Sequence, residues 1–207
     1  MDMRAILGLS AVMPIVTLAD AADAVPVARA LVAGGTKTIE LTLRTDAALD
    51  AIRAIASEVP ELVIGAGTVL RTGDMDAALD AGVQFLISPG LTPDLMKAAA
   101  ERGAPYLPGV ATAADVMVAL DHGLDCLKLF PAAQLGVGTA KAFAGPFARV
   151  VFCANGGVTQ DNARDFLAQP NVITVGCSWV VPDKAVAAKN WAAIEANARI
   201  ATTLAPH

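Results

Sequence analysis

The sequence predicts a single α/β domain over residues 1–207, folded as a (β/α)8 TIM barrel with parallel strands. Short β-rich runs alternate with alanine-rich segments that carry apolar residues at helical spacing, a pattern typical of parallel sheets. Eight such units fit into 207 residues, which favours a compact closed barrel over an open doubly wound sheet. No Gly-x-Gly-x-x-Gly motif follows the first predicted strand, and this argues against a dinucleotide-binding sheet.

Eight runs are predicted as strands because they are short and rich in apolar and β-branched residues. In chain order they are Val12–Thr17, Thr36–Leu43, Leu62–Ala66, Gln84–Ser88, Pro105–Leu107, Asp125–Phe130, Arg149–Cys153 and Val172–Gly176. Between the first two strands, Ala24–Leu31 is predicted as a helix with Pro26 in its first turn and Gly34-Gly35 after its end. A second helix, Asp46–Ala56, follows the second strand and stops before a proline.

The composition argues against a nucleic-acid-binding protein and against a membrane protein. Hydrophobic residues make up 55% of the chain and aromatic residues only 4%, so alanine, valine, leucine and isoleucine form most of the core. The net charge is −5 and basic residues are scattered singly, which argues against a nucleic-acid partner. Because no apolar run reaches the roughly 20 residues of a membrane helix and no signal peptide is recognisable, we expect a cytoplasmic protein without a membrane partner. Isolated Cys126, Cys153 and Cys177 are expected to be reduced and buried in strands.

Lys128 lies inside the apolar run Asp125–Phe130, where lysine is uncommon. Burial disfavours an ammonium ion, and the neutral amine is the form that attacks a ketone. A lysine that extends to solvent or pairs with a carboxylate produces the same pattern. The strand alone therefore leaves both a catalytic and a structural role open.

The second predicted strand supplies polar partners for this lysine. Its alternation places one polar row, Thr38, Glu40, Thr42 and Arg44, on the face opposite Ile39, Leu41 and Leu43. Such a row within a buried strand must face a partner, a ligand or water, because an unpaired buried charge is very costly. Glu40 and Arg44 could then join Lys128 as base, anion-binding group and nucleophile. A structural network of the same three charges is the alternative.

Glycine-rich segments follow several strands and are interpreted as tight strand exits. Three of them, Gly65-Ala-Gly-Thr68, Ser88-Pro-Gly90 and Pro108-Gly109, are individually more typical of plain turns than of sites. Gly156-Gly157 is more informative, because it precedes a helix expected to start near Thr159, and helix N-termini after glycine-rich turns bind anions. Ser178 follows the last strand in Gly176-Cys-Ser-Trp179, and barrels often bind phosphate between these two loops.

Histidine and metal chemistry are not indicated. The chain has only His122, which precedes Gly123 at a predicted helix end and suits a capping role, and the terminal His207. No group of His, Asp and Glu has the spacing of metal ligands, so we expect no metal.

Six segments follow one another along the chain: Leu31-Val-Ala-Gly-Gly35, Glu40-Leu-Thr-Leu-Arg-Thr45, Gly65-Ala-Gly-Thr-Val69, Ile87-Ser-Pro-Gly-Leu91, Leu127-Lys-Leu-Phe-Pro-Ala132 and Gly176-Cys-Ser-Trp-Val-Val-Pro182. In this order they resemble the 2-keto-3-deoxy-6-phosphogluconate (KDPG) aldolase family, whose related members act on 4-hydroxy-2-oxoglutarate. The resemblance extends from about Ala11 to Pro182, and six motifs together are far more specific than any one of them.

The resemblance implies a role for each site residue. Lys128 would form a Schiff base with the keto acid, and Glu40 would be the general acid and base. Arg44 and Thr68 would bind the pyruvate carboxylate, Pro89 and Phe130 would shape the pocket, and Gly156, Gly157 and Ser178 would bind the phosphate. The family typically forms homotrimers, needs no metal or organic cofactor, and works in the cytoplasm in the Entner–Doudoroff route.

The implied activity is that of an aldehyde-lyase, a class I aldolase that cleaves KDPG to pyruvate and D-glyceraldehyde 3-phosphate. Aldolases of 4-hydroxy-2-oxoglutarate or of the galactonate-configured sugar acid are alternatives. A phosphate-binding barrel isomerase that uses Glu40 as a base and a non-catalytic sugar-phosphate module also stay open. The isomerase explains the phosphate loops but gives Lys128 no chemical purpose.

Two positions depart from the family pattern. Ala154-Asn155 replaces the Pro-Thr that usually precedes the two glycines, at a place expected to border the phosphate and the distal hydroxyls and to affect substrate preference. Ala133 replaces a glutamate after Phe-Pro-Ala, a change expected to affect local packing.

Overall fold

The computed structural model describes residues 1–204, where nine parallel strands form one sheet and eleven α-helices surround or cap it. The strands are β1 (Val12–Val16), β2 (Thr38–Thr42), β3 (Val63–Gly67), β4 (Phe85–Ile87), β5 (Tyr106–Leu107), β6 (Gly109–Val110), β7 (Cys126–Leu129), β8 (Val151–Asn155) and β9 (Val172–Cys177). The helices are α1 (Met3–Leu7), α2 (Ala24–Ala33), α3 (Ala48–Glu58), α4 (Thr72–Asp80), α5 (Pro93–Arg102), α6 (Ala113–Asp121), α7 (Ala132–Leu135), α8 (Val137–Ala144), α9 (Ala163–Leu167), α10 (Asp183–Ala187) and α11 (Trp191–Thr202). A short 3₁₀ helix, Ala21–Asp23, precedes α2.

The barrel closes through a strand that proline divides into two. β5 pairs with β4, and β6 pairs with β7, so the segment that contains both joins the two edges of the sheet. Pro108 separates the halves because it has no amide hydrogen to donate. The nine strands therefore fill eight barrel positions, which confirms the predicted fold class. The predicted fifth strand, Pro105–Leu107, was too short, and Pro108-Gly109 is not a strand exit because Gly109 lies in β6.

The two helices singled out in the sequence are present, with ends shifted by about two residues, as is usual at frayed termini. The helix expected near Thr159 is absent from that position, because α9 begins only at Ala163. Residues before α9 form a capped turn, in which Thr159 N–H donates to Asn162 Oδ1 at 2.8 Å, Asn162 N–H donates to Thr159 Oγ1 at 3.4 Å, and the Ala163 amide donates to the Thr159 carbonyl at 3.0 Å. Among residues 1–204, none of the helices is both long and apolar enough to span a bilayer.

The apolar core has two layers. The larger layer lies between the strands and the outer helices and includes Ile39 and Leu41. The second fills the inside of the barrel at the amino ends of the strands, where Ile6 and Leu7 of α1 pack against Phe85. Helix α1 thus plugs the amino end of the barrel. The three cysteines are buried in strands, as predicted, and are not joined by a disulfide.

We expect Gly65→Ala to destabilise this lower layer. A Cβ atom at position 65 would overlap the ring of Phe85, which is fully buried. Overpacking of this kind costs about 1–3 kcal/mol in the free energy of unfolding. Urea denaturation measures the loss against Gly73→Ala in α4, where an added Cβ meets nothing within 4 Å. An unchanged urea midpoint for Gly65→Ala would contradict the close packing of Gly65 against the Phe85 ring.

Candidate active site

A cavity of about 460 Å³ opens at the carboxyl ends of the strands. It brings together most of the side chains predicted from the sequence: Glu40, Arg44, Lys128, Phe130, Gly156, Gly157 and Ser178. A larger hollow of about 580 Å³ lies at the amino end, next to α1. That hollow contains the half-exposed Arg4–Asp125 ion pair and none of the predicted site residues, so the first cavity is the candidate active site.

The floor of the cavity holds a buried ion pair. Lys128 on β7 and Glu40 on β2 face each other across the barrel, with 3.2 Å between Nζ and Oε1. Their side chains are only 6% and 1% exposed, so little water screens the interaction. The Phe130 ring lies beside the amine, with its centroid 5.2 Å from Nζ. The alternation predicted for β2 is therefore confirmed, with Glu40 inward and Ile39 and Leu41 in the outer layer.

The space for the Glu40 carboxylate comes from a glycine on the neighbouring strand. A Cβ atom at position 67 would overlap the Glu40 side chain, so only glycine leaves room there. Gly65 and Ala66 lie in β3, as the predicted strand Leu62–Ala66 has them, whereas Gly67 also belongs to the strand and not to the turn predicted after it. Side chains on neighbouring strands, Glu40 at Gly67 and Phe85 at Gly65, therefore explain these glycines, and not the close approach of a ligand.

Arg44 and Thr68 form a pair at the edge of the cavity. Arg44 Nε donates to Thr68 Oγ1 at 3.0 Å. Thr68 has φ of 62°, a left-handed conformation that is rare outside glycine and that sites often impose. Within residues 1–204, Arg44 makes no ion pair, and its exposed guanidinium is free to bind an anion. Thr68 does not line the cavity itself and is joined to it only by its hydrogen bond with Arg44.

Pro89 lies outside the main cavity, in an adjoining hollow of about 240 Å³ that shares Phe130 with it. The preceding Ser88 forms a 2.6 Å hydrogen bond with Tyr106, and burial raises the pKa of Tyr106 to about 12. Tyr106 is therefore a neutral structural partner that holds the Ser88-Pro-Gly90 turn. Pro89 is placed where it can contact only the side of the pocket that Phe130 borders.

The opposite side of the cavity is a loop of exposed backbone. Gly156 and Gly157 have φ of 93° and 72°, which glycine adopts without strain. Within the part of the chain that the structure describes, the amides of Gly157 and Val158 donate to no protein acceptor. Ser178 is exposed across the cavity, although Gly176 and Cys177 belong to β9 and not to the turn predicted there. These donors suit an anion, but no helix N-terminus contributes, because α9 starts later.

Over residues 3–197 the chain matches the family described as KDPG and KHG aldolase. The chain belongs to this family. The KHG/KDPG aldolase of Escherichia coli (strain K12) is 48% identical over 197 residues, which are 95% of this chain and 92% of that protein. The crystal structure of the KDPG aldolase from Zymomonas mobilis ATCC 29191 has a TM-score of 0.94 at 47% identity and covers 99% of this chain and 98% of that chain. A KDPG aldolase from Legionella pneumophila, with pyruvate captured as a covalent carbinolamine, has a TM-score of 0.96 at 37% identity over 98% of both chains.

Family membership confirms the resemblance, the barrel fold and the enzyme class predicted from the sequence. The aldolase is a carbon–carbon lyase, and the isomerase and binding-module alternatives lose their basis. The two positions that depart from the family pattern have different surroundings in the structure. Ala133 donates its amide to the Gly156 carbonyl at 2.9 Å and packs against Gly157, in line with the packing role expected for it.

The other departure, Asn155, lines the same cavity as Gly156 and Gly157, and its amide group donates to Glu40 Oε2 at 3.1 Å on the cavity floor, a contact that was not predicted from the sequence. Period-two alternation from Cys153 could have placed it there, because β8 is the neighbour of β7 in the barrel.

His122 does not line this cavity. His122 caps the end of α6 and its Nδ1 lies 2.9 Å from the Val118 carbonyl oxygen, as the capping prediction required. His207 lies outside the described residues. Over residues 1–204 the structure has no group of three or more His, Cys, Asp or Glu side chains suited to a metal ion.

Proposed function

We propose that the chain is a class I aldolase that cleaves KDPG to pyruvate and D-glyceraldehyde 3-phosphate through an imine on Lys128. The observation that carries this proposal is the buried Lys128–Glu40 pair at 3.2 Å on the floor of an open cavity. A nucleophilic amine and a proton-transfer group within hydrogen-bond reach are what Schiff-base chemistry requires. The names of the relatives and the carbinolamine in the Legionella enzyme support the same chemistry.

Imine formation begins when Glu40 accepts a proton from the Lys128 ammonium. The free amine attacks C2 of the keto acid, and the resulting carbinolamine loses its hydroxyl group as water once Glu40 has returned a proton. The product is a protonated imine whose C2–N bond can accept an electron pair. The nearby carboxylate stabilises this cation electrostatically.

Cleavage uses the imine as an electron sink. Glu40, acting through a water molecule, takes the proton of the C4 hydroxyl, and a C4–O double bond forms as the C3–C4 bond breaks. The electron pair of that bond moves to C3 and the imine, which leaves an enamine on Lys128 and releases the aldehyde. Glu40 then protonates C3, and hydrolysis of the imine releases pyruvate and restores the amine.

The rest of the cavity orients the substrate along its length. The Arg44 guanidinium binds the pyruvate carboxylate by two parallel hydrogen bonds, and Thr68 fixes the Arg44 side chain through its 3.0 Å bond. Phe130, with Pro89 behind it, forms the apolar wall beside the reacting carbons. At the other end, the amides of Gly156 and Gly157 and the hydroxyl of Ser178 bind the phosphate.

We expect Arg44→Gln to raise KM for the keto acid about 10- to 100-fold, because a hydrogen-bonded charge partner is worth about 1.5–3 kcal/mol. Arg44→Lys keeps the positive charge but lacks the two parallel donors of the guanidinium, so its KM should lie between those of Arg44→Gln and the native enzyme. Steady-state kinetics measures both against Arg53→Gln, an exposed position on α3. A KM for Arg44→Gln within twofold of the native value would remove the carboxylate-binding role.

The experiment that tests the proposed function is borohydride trapping. The protein is incubated with pyruvate, reduced with borohydride and digested, and the modified peptide is mapped by mass spectrometry. We expect one pyruvate adduct on Lys128 and none on exposed Lys37 or Lys141. A folded sample that gives no adduct on Lys128 would overturn the covalent mechanism.

Substrate preference and assembly complete the proposal. The E. coli relative is named for two activities, so kcat/KM is compared on KDPG, 4-hydroxy-2-oxoglutarate and the galactonate-configured sugar acid. We expect KDPG to be preferred, in keeping with a cytoplasmic role in the Entner–Doudoroff route. Light scattering in solution should give the mass of a homotrimer, the assembly that the family resemblance implies.

A further inference from the structure

Both oxygens of the Glu40 carboxylate are held by donors. Lys128 Nζ lies 3.2 Å from Oε1, and Asn155 Nδ2 donates to Oε2 at 3.1 Å. Asn155 is fully buried at the end of β8, so no water competes for its amide. The carboxylate is thus fixed in its plane by two bonds, one of which involves a residue that departs from the family pattern.

A thiol sets the direction of the Asn155 amide. Cys153 Sγ donates to Asn155 Oδ1 at 2.8 Å, and burial raises the pKa of Cys153 well above its ordinary value, so the thiol keeps its proton. A carboxylate can only accept, so the NH₂ group of Asn155 must face Glu40 while its oxygen faces the thiol. The hydrogen-bond pattern therefore allows one orientation of the amide.

The amide also has little room to move. A Cβ atom at Gly176, the β-sheet partner of Asn155, would overlap the Asn155 amide group. The side chain therefore lies directly against backbone on one side and against Glu40 and Cys153 on the others.

We propose that Asn155 is a positioning residue for the reaction: held by Cys153 and Gly176, it fixes Glu40 Oε2 for proton transfer to and from the substrate carbon. This inference rests on the proposed acid and base role of Glu40. The terminal torsion of glutamate is soft, so the loss of the Asn155 bond frees the carboxylate to rotate. Asn155 acts through Glu40 and not on the phosphate.

The test separates proton transfer from imine formation. Exchange of the pyruvate methyl hydrogens with D₂O, followed by NMR, reports enamine formation, and the fraction trapped by borohydride at saturating pyruvate reports the imine. We expect Asn155→Ala to lower the exchange rate about 10- to 100-fold while the trapped fraction stays within about twofold. In a Glu40→Gln background, adding Asn155→Ala should change exchange by less than about threefold, because the two residues act as one unit.

Matched variants keep the result interpretable. Asn171 is also a buried asparagine, but it lies at the amino end of β9 and donates to the Ala140 carbonyl on α8. Asn171→Ala should therefore leave the rate of exchange per folded enzyme unchanged. If Asn155→Ala does not fold, Asn155→Leu, which is similar in size and has no donor, should show the same loss. Asn155→Thr, which keeps a hydroxyl donor, should recover part of it.

Two results would overturn the proposal: native-like exchange in the folded Asn155 variant, or an equal loss when Glu40 is already replaced. Failure of the native enzyme to trap pyruvate is a different result. It would overturn the proposed function itself, and the inference with it.

Discussion

Lys128→Ala is expected to lower kcat for KDPG cleavage by about 10⁵-fold, because removal of a covalent nucleophile eliminates the imine on which the later steps depend. The rate is measured by coupling pyruvate release to lactate dehydrogenase. Loss of the amine also leaves Glu40 buried with one donor fewer, so the variant should unfold at a lower temperature.

Lys128→Arg separates these two effects. Arginine keeps the positive charge opposite Glu40 but cannot form an imine, so this variant should be folded and equally inactive. The exposed Lys141→Ala on α8 is the control for loss of a lysine elsewhere. Turnover within tenfold of the native rate in either Lys128 variant would exclude Lys128 as the nucleophile.

Glu40→Gln is expected to lower kcat about 10³-fold, within the range of about 10²- to 10⁴-fold for a general acid and base. The amide keeps the shape of the side chain beside Gly67 but cannot relay a proton between the C4 hydroxyl and C3. Pyruvate should still be trapped on Lys128 after long incubation, whereas the exchange of its methyl hydrogens should fall by about 10³-fold to a slow but measurable rate.

The control for this change is Glu58→Gln, an exposed position that pairs with Arg29 on the surface. It should retain native turnover. If Glu40→Gln cleaved KDPG at more than a tenth of the native rate, the carboxylate would have only a structural role in holding Lys128.

Patterns along the chain predicted the barrel and the floor of its site. Alternation in β2 identified Glu40 as inward-facing, and a lysine in an apolar strand identified Lys128, because burial makes each charge costly without a partner. The contact between them, 88 positions apart, follows from barrel closure, which a local pattern does not describe.

Features that depend on contacts between distant segments were missed. The Gly65–Gly67 pattern indicated a turn, but these glycines leave space for the Phe85 ring and the Glu40 carboxylate on neighbouring strands. Alternation along β8 indicates that Asn155 faces inward, but its contact with Glu40 on β2 depends on barrel closure.

The plug formed by helix α1 has a kinetic consequence. Since α1 and the apolar layer above it fill the amino end of the barrel, the cavity has its mouth at the carboxyl end. The aldehyde and pyruvate must leave by the route along which the substrate entered, and pyruvate stays covalently attached until the aldehyde has gone. Release is therefore compulsorily ordered, so pyruvate should inhibit competitively against KDPG and the aldehyde should inhibit non-competitively.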